Sequence, residues 1–442
     1  MPIASGLCVL LILTTSSLSA QGLPRTRPES VGMSAERLAR IAPTLRDYIE
    51  RGEIAGAVTL VARHGRVVKL DTAGYADVDA KVPMRPGTIF RIASMTKAVT
   101  SVAVMVLVEQ GKLLLSDPVS KYLPAFSNPR IVAPTADSGR RAADSLVPAK
   151  RDMTVRDLLT HRSGLAYSFI DKGPVGTAYR KAGITDGIAT TDLTLAENVD
   201  RIGRQPLSFE PGAKWQYGIS TDVLGRVVEV VSGQPLDRFF TDQIFTPLRM
   251  KDTYFYVPDE KRARLAVPYT RKDGKLQPMR DVERFGNLQI GGVEWRGSRN
   301  YFSGGAGLFS TAADYARFLQ MLLNGGELDG VRVLSPKTVE LMTASATGDL
   351  SPSPVAPGVG FGLGFAVITD LGLSGAYGSL GQYSWGGIYY SLFWVDPKED
   401  MIGVLMAQRY PNDDLRIGDA FQTLAYQAIL KSEMQRGQNA RQ

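Results

Sequence analysis

Strand-like patterning lies at both ends of this chain, and helical patterning fills the stretch between them. The strand candidates are 57–62, 66–70, 361–368, 384–395 and 401–407, of which the first two flank a turn at 63–65. The simplest packing joins both ends into one antiparallel sheet and leaves the middle as a helical lobe. At 442 residues the chain also exceeds the usual size of a single core. The sequence therefore predicts an α/β (α+β) fold in which an antiparallel sheet is flanked by helices and joined to a helical lobe.

The same patterning predicts where the lobes and helices begin and end. We expect 21–92 and 296–442 to form the sheet-containing lobe, and 93–295 to form the mainly helical one. Ser34 is the expected N-cap of the first amphipathic helix. The other predicted helices are a long apolar one from about residue 94 to Gln110, then 222–232, 312–323 and 414–434.

The N-terminus carries the pattern of a secretory leader. A short apolar run at 7–13 is followed by small and polar residues up to Ala20, so we expect a signal peptide over 1–20 and an exported protein, periplasmic or secreted. The run is far shorter than the roughly 18 residues of a membrane span, which predicts no stable membrane insertion. The only cysteine, Cys8, lies inside this leader, so the mature chain would contain no disulfide and no thiol nucleophile.

The charge pattern limits the kinds of partner. The net charge of +7 is spread along the chain, and the densest basic patches, 140–141 and 261–264, are short enough to be solvated surface. We therefore expect no nucleic-acid partner. Two histidines and no mature cysteine provide no obvious zinc ligands, so the sequence predicts neither a metal nor a cofactor. A cleft between two lobes typically binds a small-molecule substrate. The sequence leaves the oligomeric state open.

Ser94-Met95-Thr96-Lys97 has the pattern S-x-x-K at the start of the long apolar helix. Residues three apart share a helix face, so the Lys97 amine can reach the Ser94 hydroxyl. A serine hydroxyl becomes nucleophilic when a neighbouring base removes its proton, and a helix N-terminus favours developing negative charge. Taken alone, the spacing also fits a Ser94 that only caps the helix, because such a short pattern occurs by chance roughly once in a chain of this length.

Several longer segments resemble the β-lactamase and penicillin-binding-protein superfamily. In chain order they are 90–97, 158–165, 215–217, 222–225, 303–308, 385–387 and 393–397. The resemblance is closest to the class C β-lactamases and the family VIII carboxylesterases, and it spans essentially the mature chain. It implies a β-lactamase/transpeptidase-like fold, a nucleophile at Ser94 and an activating role for Lys97.

The second motif of the superfamily is represented only in part. Class C enzymes have Tyr-x-Asn, in which the tyrosine relays protons, and Tyr217 matches that tyrosine. A free tyrosine titrates near pH 10, so this role needs a nearby positive charge, which Lys97 offers. Ile219 replaces the asparagine, and Ser220 is expected to cap the next helix rather than to replace the amide. Asp222 is adequately explained as stabilising the first turn of that helix.

The third motif departs further from the β-lactamase pattern. Trp385-Gly386-Gly387 stands where β-lactamases have Lys-Thr-Gly, whose lysine and threonine bind a substrate carboxylate. Trp385 offers an apolar face and one N–H but no positive charge, which favours an uncharged acyl ester. Gly386 and Gly387 let the strand backbone approach a substrate closely. The resemblance also implies an oxyanion hole made by the backbone N–H groups of Ser94 and Ile388.

Other chemistries fit the sequence less well. A Ser-His-Asp hydrolase lacks its G-x-S-x-G motif, and we expect His64 to be solvent-exposed in a hairpin turn and His161 to be a structural hydrogen-bonding residue. We therefore expect a serine hydrolase that forms an acyl-enzyme on Ser94 and acts as a carboxylesterase on short-chain esters. The alternatives are a class C-type β-lactamase, a D-Ala-D-Ala peptidase and a penicillin-recognising protein without turnover.

Overall fold

A computed structural model describes residues 22–133, 145–292, 298–348, 350 and 357–432. Its main feature is an eight-stranded antiparallel sheet with the strand order β14-β15-β16-β17-β18-β1-β2-β3. These strands are β1 Gly56–Arg63, β2 Arg66–Asp77, β3 Val82–Pro83, β14 Val359–Phe361, β15 Ala366–Ile368, β16 Tyr383–Gly387, β17 Ser391–Asp396 and β18 Met401–Met406. The predicted signal peptide at 1–20 and the basic pair at 140–141 lie outside the described residues.

The two ends of the chain meet in the centre of this sheet, as the sequence predicts. Strand β1 pairs antiparallel with β18, with Leu60 opposite Val404, and with β2 on its other side. Strand β1 is buried along its whole length, so an interior strand of apolar residues links the N-terminal hairpin to the C-terminal strands. The predicted antiparallel sheet is therefore confirmed.

Two predicted strands are in fact hairpins. Residues 361–368 do not form one strand, because the chain turns between β14 and β15 at the glycine-containing segment 362–365. Residues 384–395 likewise divide into β16 and β17, which pair with Trp385 opposite Phe393. The chain reverses there at Ile388–Tyr390, and Tyr390 takes a positive φ of 68°.

Within the described ranges, shorter strands form five two-stranded ladders. Their bounds are β4 Phe90–Arg91 with β11 Phe309–Ser310, β5 Arg130–Val132 with β6 Leu146–Pro148, β7 Tyr269–Lys272 with β8 Lys275–Pro278, β9 Glu283–Phe285 with β10 Leu288–Ile290, and β12 Glu327–Leu328 with β13 Val331–Arg332. The β4–β11 ladder matters for the site, because the S-x-x-K segment follows β4 directly.

The helices of the described residues lie on both faces of the sheet and in the middle of the chain. They are α1 Ala35–Leu38, α2 Ile41–Glu50, α3 Thr96–Glu109, α4 Val155–Leu159, α5 Pro174–Lys181, α6 Leu195–Gly203, α7 Ser220–Ser232, α8 Leu236–Phe240, α9 Ala312–Leu323, α10 Pro336–Thr343, α11 Leu371–Ser374 and α12 Ile417–Tyr426. The Ser34 side chain accepts a hydrogen bond from the Arg37 N–H, which confirms the predicted N-cap. Helix α12 is shorter than the predicted 414–434, of which 433 and 434 lie outside the described range.

Helix α3 is the central helix of the molecule. Every side chain from Thr96 to Leu107 is buried, as expected for a helix that is apolar on nearly all sides. One face packs against α7, and the same apolar cluster extends from α3 to Val58 and Val404 of the sheet. Because α3 packs against both α7 and the sheet, its N-terminal end lies fixed between them.

Among the described residues, no helix has the length and apolar character needed to cross a membrane.

Candidate active site

Ser94 lies in a tight turn between β4 and α3. The turn is a three-residue 3₁₀ helix, Ala93–Met95, in which Ala93 and Met95 are buried while Ser94 is partly exposed. Ala93 has a φ of +42°, a conformation uncommon for residues other than glycine that costs on the order of 1–3 kcal/mol. The Tyr315 hydroxyl stabilises the turn by donating to the Met95 carbonyl at 2.8 Å. The fold therefore presents Ser94 at the N-terminal end of α3.

Lys97 is buried one helical turn beyond Ser94, with only 1% of its surface exposed. Its Nζ donates to Ser94 Oγ at 3.2 Å, to the Tyr167 hydroxyl at 3.0 Å and to the Gly305 carbonyl at 2.8 Å. An ammonium group has three N–H bonds, so these three acceptors satisfy it completely. The predicted Ser94–Lys97 pair is therefore in contact, and the lysine is fixed by two further groups.

The Tyr217 phenol oxygen lies 2.7 Å from Ser94 Oγ, and so within hydrogen-bond distance. Lys97 Nζ is 4.8 Å from the centre of the Tyr217 ring, which brings a cation close to the phenol. The ring itself is held by aromatic neighbours at centroid distances of 5.0 Å to His161, 5.4 Å to Tyr167, 6.3 Å to Trp215 and 5.4 Å to Trp385. Residues 123 positions apart in the chain thus meet at one hydroxyl.

Tyr167 is a site residue that the sequence did not reveal. Its hydroxyl accepts a hydrogen bond from Lys97, and its ring is buried beside Tyr217 and Phe169. Burial raises the pKa of the Tyr167 phenol well above its ordinary value, and the nearby Tyr217 and Asp222 add to the rise. Tyr167 therefore stays protonated. Its one sequence signal is its position two residues after the segment 158–165, which is weak among 17 tyrosines.

Asp222 and Ser220 both differ from their sequence interpretation. Ile219, not Ser220, occupies the N-cap position of α7, and the buried Ser220 hydroxyl lies 2.8 Å from the Ser163 hydroxyl. Asp222 sits in the first turn of α7, yet its carboxylate is fully buried and accepts a hydrogen bond from the Tyr301 hydroxyl at 3.3 Å. Burial raises the pKa of Asp222 to about 6, while Ser303, Lys97 and Tyr301 oppose that rise. Helix stabilisation is therefore an insufficient explanation for Asp222.

Strand β16 forms the wall opposite α3 and carries Trp385, Gly386 and Gly387. A methyl group at position 387 would lie 2.3 Å from the Ile92 carbonyl, so only glycine allows this strand to reach the turn before Ser94. The half-buried Trp385 ring packs edge-to-face on Phe361 at 5.2 Å, and its Nε1 has no hydrogen-bond partner among the described residues. The close approach brings the end of β16 beside Ser94.

The backbone N–H groups of Ser94 and Ile388 are the predicted oxyanion donors. Ile388 follows β16 directly, and its carbonyl accepts a hydrogen bond from Asn412 Nδ2 at 2.7 Å. In the part of the chain that the structure describes, neither N–H belongs to the turn, loop and cap hydrogen bonds that join backbone groups. The turn at Ser94 and the end of β16 adjoin through Gly387, and the oxyanion-hole role of the two N–H groups stays a prediction.

The two histidines are placed differently from each other. His161 is buried against Trp215, Tyr217 and Phe361, and its Nδ1 has no partner among the described residues, so it packs rather than hydrogen-bonds through that atom. Burial, assisted by Lys97, lowers the pKa of His161 to about 3. His64 lies in the β1–β2 turn and is not simply exposed, because its Nδ1 lies 2.8 Å from the carboxylate of Asp400, which precedes β18. Neither histidine touches Ser94.

A polar cavity of about 440 Å³ begins at Ser168, the residue after Tyr167. It lies between the segment 183–191 and the β9–β10 hairpin, and its lining includes Ser168, Arg180, Asp186 and Arg284. Asp186 accepts hydrogen bonds from the Ser168 N–H at 2.9 Å and from its hydroxyl at 2.5 Å, one residue from Tyr167. Within the described ranges, no group of three or more histidine, cysteine or acidic side chains is placed to bind a metal.

Comparison with known proteins identifies the family. The Beta-lactamase family model matches residues 41–427. Esterase EstB of Burkholderia gladioli is 34% identical over 84% of this chain and 90% of its own, and the lovastatin esterase of Penicillium rubens is 31% identical over 89% and 99%. The solved structure of EstCE1, a hydrolase with promiscuous acyltransferase activity, superposes with a TM-score of 0.74 at 31% identity and covers 88% of this chain and 99% of its own.

The chain therefore belongs to the β-lactamase family and has the β-lactamase/transpeptidase fold. Its relatives include esterases that match it over most of both chains, and it is a serine hydrolase of that family. The resemblance seen in the sequence segments is confirmed.

Proposed function

We propose that the protein is a carboxylesterase with Ser94 as its nucleophile. The observation that carries the proposal is the position of Ser94 Oγ, which lies 2.7 Å from the Tyr217 phenol oxygen and 3.2 Å from Lys97 Nζ at the N-terminal end of α3. Ser94 Oγ accepts from both groups, and a deprotonated Tyr217 oxygen at the same place, beside the Lys97 cation, is positioned to take the serine proton.

The reaction has two acyl-transfer steps. Ser94 Oγ attacks the ester carbonyl carbon while its proton passes to the phenolate oxygen of deprotonated Tyr217, and the carbonyl oxygen becomes an oxyanion bound by the N–H groups of Ser94 and Ile388. Collapse breaks the bond to the alcohol oxygen, which takes the proton from Tyr217 and leaves. Water then attacks the acyl-enzyme, Tyr217 receives the proton of that water, and the carboxylic acid is released as Ser94 regains its proton.

The composition of the walls favours an uncharged acyl group. Trp385, Tyr217 and Phe361 form an aromatic surface beside Ser94, with no cationic side chain at position 385 to bind a substrate carboxylate. Apolar acyl chains gain free energy on such a surface, whereas a desolvated carboxylate needs a charged partner. Short-chain esters are therefore better substrates than β-lactams or peptides that end in a free carboxylate.

We also propose that the protein acts outside the cytoplasm. The leader pattern at 1–20 supports export to the periplasm or the medium, with cleavage near Ala20. N-terminal sequencing of the protein recovered from the native host tests this directly. A mature N-terminus at or close to residue 21 is expected, and recovery of the intact Met1 terminus in the cytoplasm contradicts export.

One substrate panel tests the activity. The purified protein is assayed on p-nitrophenyl acetate and butyrate, nitrocefin, penicillin G and a D-Ala-D-Ala peptide, beside Ser94→Ala. We expect ester hydrolysis that Ser94→Ala abolishes and a fluorophosphonate adduct of one equivalent that the variant lacks. Wild-type esterase activity in Ser94→Ala refutes the assignment. A stable penicillin adduct without ester turnover indicates the penicillin-recognising alternative.

A further inference from the structure

A buried carboxylate lies behind the proposed catalytic groups without a direct ion pair. Asp222 is fully buried, its Oδ1 accepts from the Tyr301 hydroxyl, the Ser303 hydroxyl also interacts with the carboxylate, and Oδ2 has no hydrogen-bond partner within the geometric limits among the described residues. An ionised carboxylate in that state is costly to bury. Because the side chain points inward from α7, the helix terminus does not account for it.

Asp222 and Lys97 share one glycine as a neighbour. The Gly305 carbonyl accepts a hydrogen bond from Lys97 Nζ at 2.8 Å. On its other side, a methyl group at position 305 would lie 2.4 Å from Asp222 Oδ2 and 3.2 Å from the Tyr167 hydroxyl. The carboxylate, the Tyr167 hydroxyl and the Lys97 ammonium therefore surround the backbone of Gly305, and only a residue without Cβ allows the three to approach this closely.

A second glycine closes the pocket around the carboxylate. At position 187, where φ is +74°, a methyl group would lie 2.6 Å from Ser303 Oγ and 3.3 Å from Asp222 Oδ1. The titratable and charged groups that face Asp222 from the surrounding elements are Lys97, Tyr167, Tyr301 and Asp186. Lys97 is the cation of that set. Asp222 and Lys97 thus lie on either side of Gly305, close enough for their charges to interact.

We propose that Asp222 is a positioning residue whose carboxylate keeps Lys97 in the ammonium form and fixed to Tyr167 and Gly305, so that Tyr217 takes the proton of Ser94. The proposal rests on the esterase function proposed above. A neutral lysine has only two N–H bonds for its three acceptors and one lone pair that competes with Tyr217 for the Ser94 proton. A fixed anion behind Lys97 removes that competition, because it stabilises the charged form.

The carboxylate must be ionised for this role, which predicts a pH dependence. Burial raises the pKa of Asp222 to about 6, so the carboxylate is charged above pH 6 and neutral below it. Wild-type kcat is therefore expected to fall as the pH drops through about 6. This fall in kcat is the acidic limb of the pH profile, and a variant without the carboxylate is expected to lack it.

The test compares Asp222→Asn with Asp186→Asn, a neighbouring acid that hydrogen-bonds to Ser168 and does not pack against Gly305. Steady-state kcat and KM for p-nitrophenyl butyrate are measured from pH 5 to 9. For Asp222→Asn we expect kcat at pH 8 to fall by about tenfold, which is less than the loss caused by removing a proton-transfer residue. We expect KM to change little and the acidic limb of the pH profile to be absent. Asp186→Asn is expected to retain kcat at pH 8 and to keep the acidic limb, displaced toward lower pH because the Asp186 charge that raises the Asp222 pKa is removed.

Thermal melting distinguishes positioning from a purely structural role. The folded-state pKa of Asp222 lies above its ordinary value, so its ionisation destabilises the folded protein as the pH rises from about 4 to 6. Removing the carboxylate therefore does not lower the melting temperature at pH 8. An unchanged kcat and pH profile in Asp222→Asn, an equal loss in Asp186→Asn, or a loss of kcat that follows unfolding overturns the proposal. Failure of the wild-type protein to hydrolyse the ester, or activity in Ser94→Ala, instead overturns the proposed function.

Discussion

Replacing Tyr217 by phenylalanine removes one oxygen atom from the proposed site and leaves the ring in place. That oxygen lies 2.7 Å from Ser94 Oγ. The ring contacts with His161, Trp215 and Trp385 do not depend on it, because they are between ring faces and edges. Tyr217→Phe therefore isolates the proton-transfer role that we propose for the phenol.

The Tyr217 hydroxyl has two roles, proton transfer in the reaction and a hydrogen bond in the folded state, and each determines one part of the expected effect. A positioned acid–base group contributes roughly 10²- to 10⁴-fold to the rate, and because Lys97 remains to polarise Ser94 we expect kcat to fall by about 10²- to 10³-fold. This corresponds to about 3–4 kcal/mol of transition-state stabilisation. The folded state loses one partly exposed hydrogen bond, about 1 kcal/mol of unfolding free energy, so the melting temperature changes by only a few degrees.

Tyr167→Phe is the matched control for this prediction. The Tyr167 hydroxyl accepts a hydrogen bond from Lys97 Nζ, whereas the Tyr217 hydroxyl hydrogen-bonds to Ser94. Stopped-flow release of p-nitrophenol separates acylation from deacylation in both variants. We expect Tyr217→Phe to slow both steps and Tyr167→Phe to lose about tenfold or less, below the range of a direct proton-transfer group. If Tyr217→Phe keeps more than about a tenth of the wild-type kcat, the loss is smaller than removal of a proton-transfer group causes, and the role of the phenol is refuted.

Three further replacements test other parts of the site. Trp385→Lys adds a cation to the wall beside Tyr217, and the ratio of nitrocefin to p-nitrophenyl butyrate turnover is expected to rise; an unchanged ratio rejects Trp385 as a selectivity residue. His161→Phe removes a ring whose pKa of about 3 keeps it neutral from pH 5 to 9, so the activity profile in that range should keep its shape, and loss of a limb would identify a base. Gly305→Ala places a methyl group 2.4 Å from Asp222 Oδ2, and calorimetry should detect a destabilisation of about 1–3 kcal/mol, whereas wild-type stability shows that the pocket can relax.

The local part of the candidate site was predictable from the sequence because the helix geometry alone brings Ser94 and Lys97 together. Their side chains are three residues apart on one face, and the structure places them 3.2 Å apart. Tyr217 required more than geometry, since nothing local relates it to Ser94, and it was identified through its resemblance to a family motif. Tyr167 lies outside the segments that resemble the family, and Asp222 lies in one of them, 222–225, without a role being attached to it. Their contacts depend on tertiary packing, which single-sequence patterns do not record.

The errors in the strand predictions have a comparable physical origin. The segment 384–395 contains Gly386-Gly387, and the chain reverses directly after this pair at 388–390, where Tyr390 adopts a φ of +68°. A bulky residue in that region is rare, so turn rules based on glycine and asparagine do not predict it. At 361–368 the sequence did carry a turn signal, the glycines Gly362 and Gly364. The structure shows why a glycine is needed: Gly364 has a φ of +100°, and a methyl group there would lie 2.2 Å from the Ser101 hydroxyl of α3.

Lys97 is not available to bind a substrate carboxylate, and Trp385 offers no positive charge in its place. All three N–H bonds of the Lys97 ammonium are directed at acceptors of the protein, namely Ser94, Tyr167 and Gly305. None is left to bind a substrate carboxylate, and moving one toward a substrate would leave a buried acceptor unsatisfied. The binding of an anionic substrate therefore needs a separate positive charge, which position 385 does not provide. On the proposed mechanism, the same nucleophile and proton path would serve an ester or a β-lactam, so we expect this requirement, and not the acyl-transfer groups, to set the preference of this protein for uncharged esters.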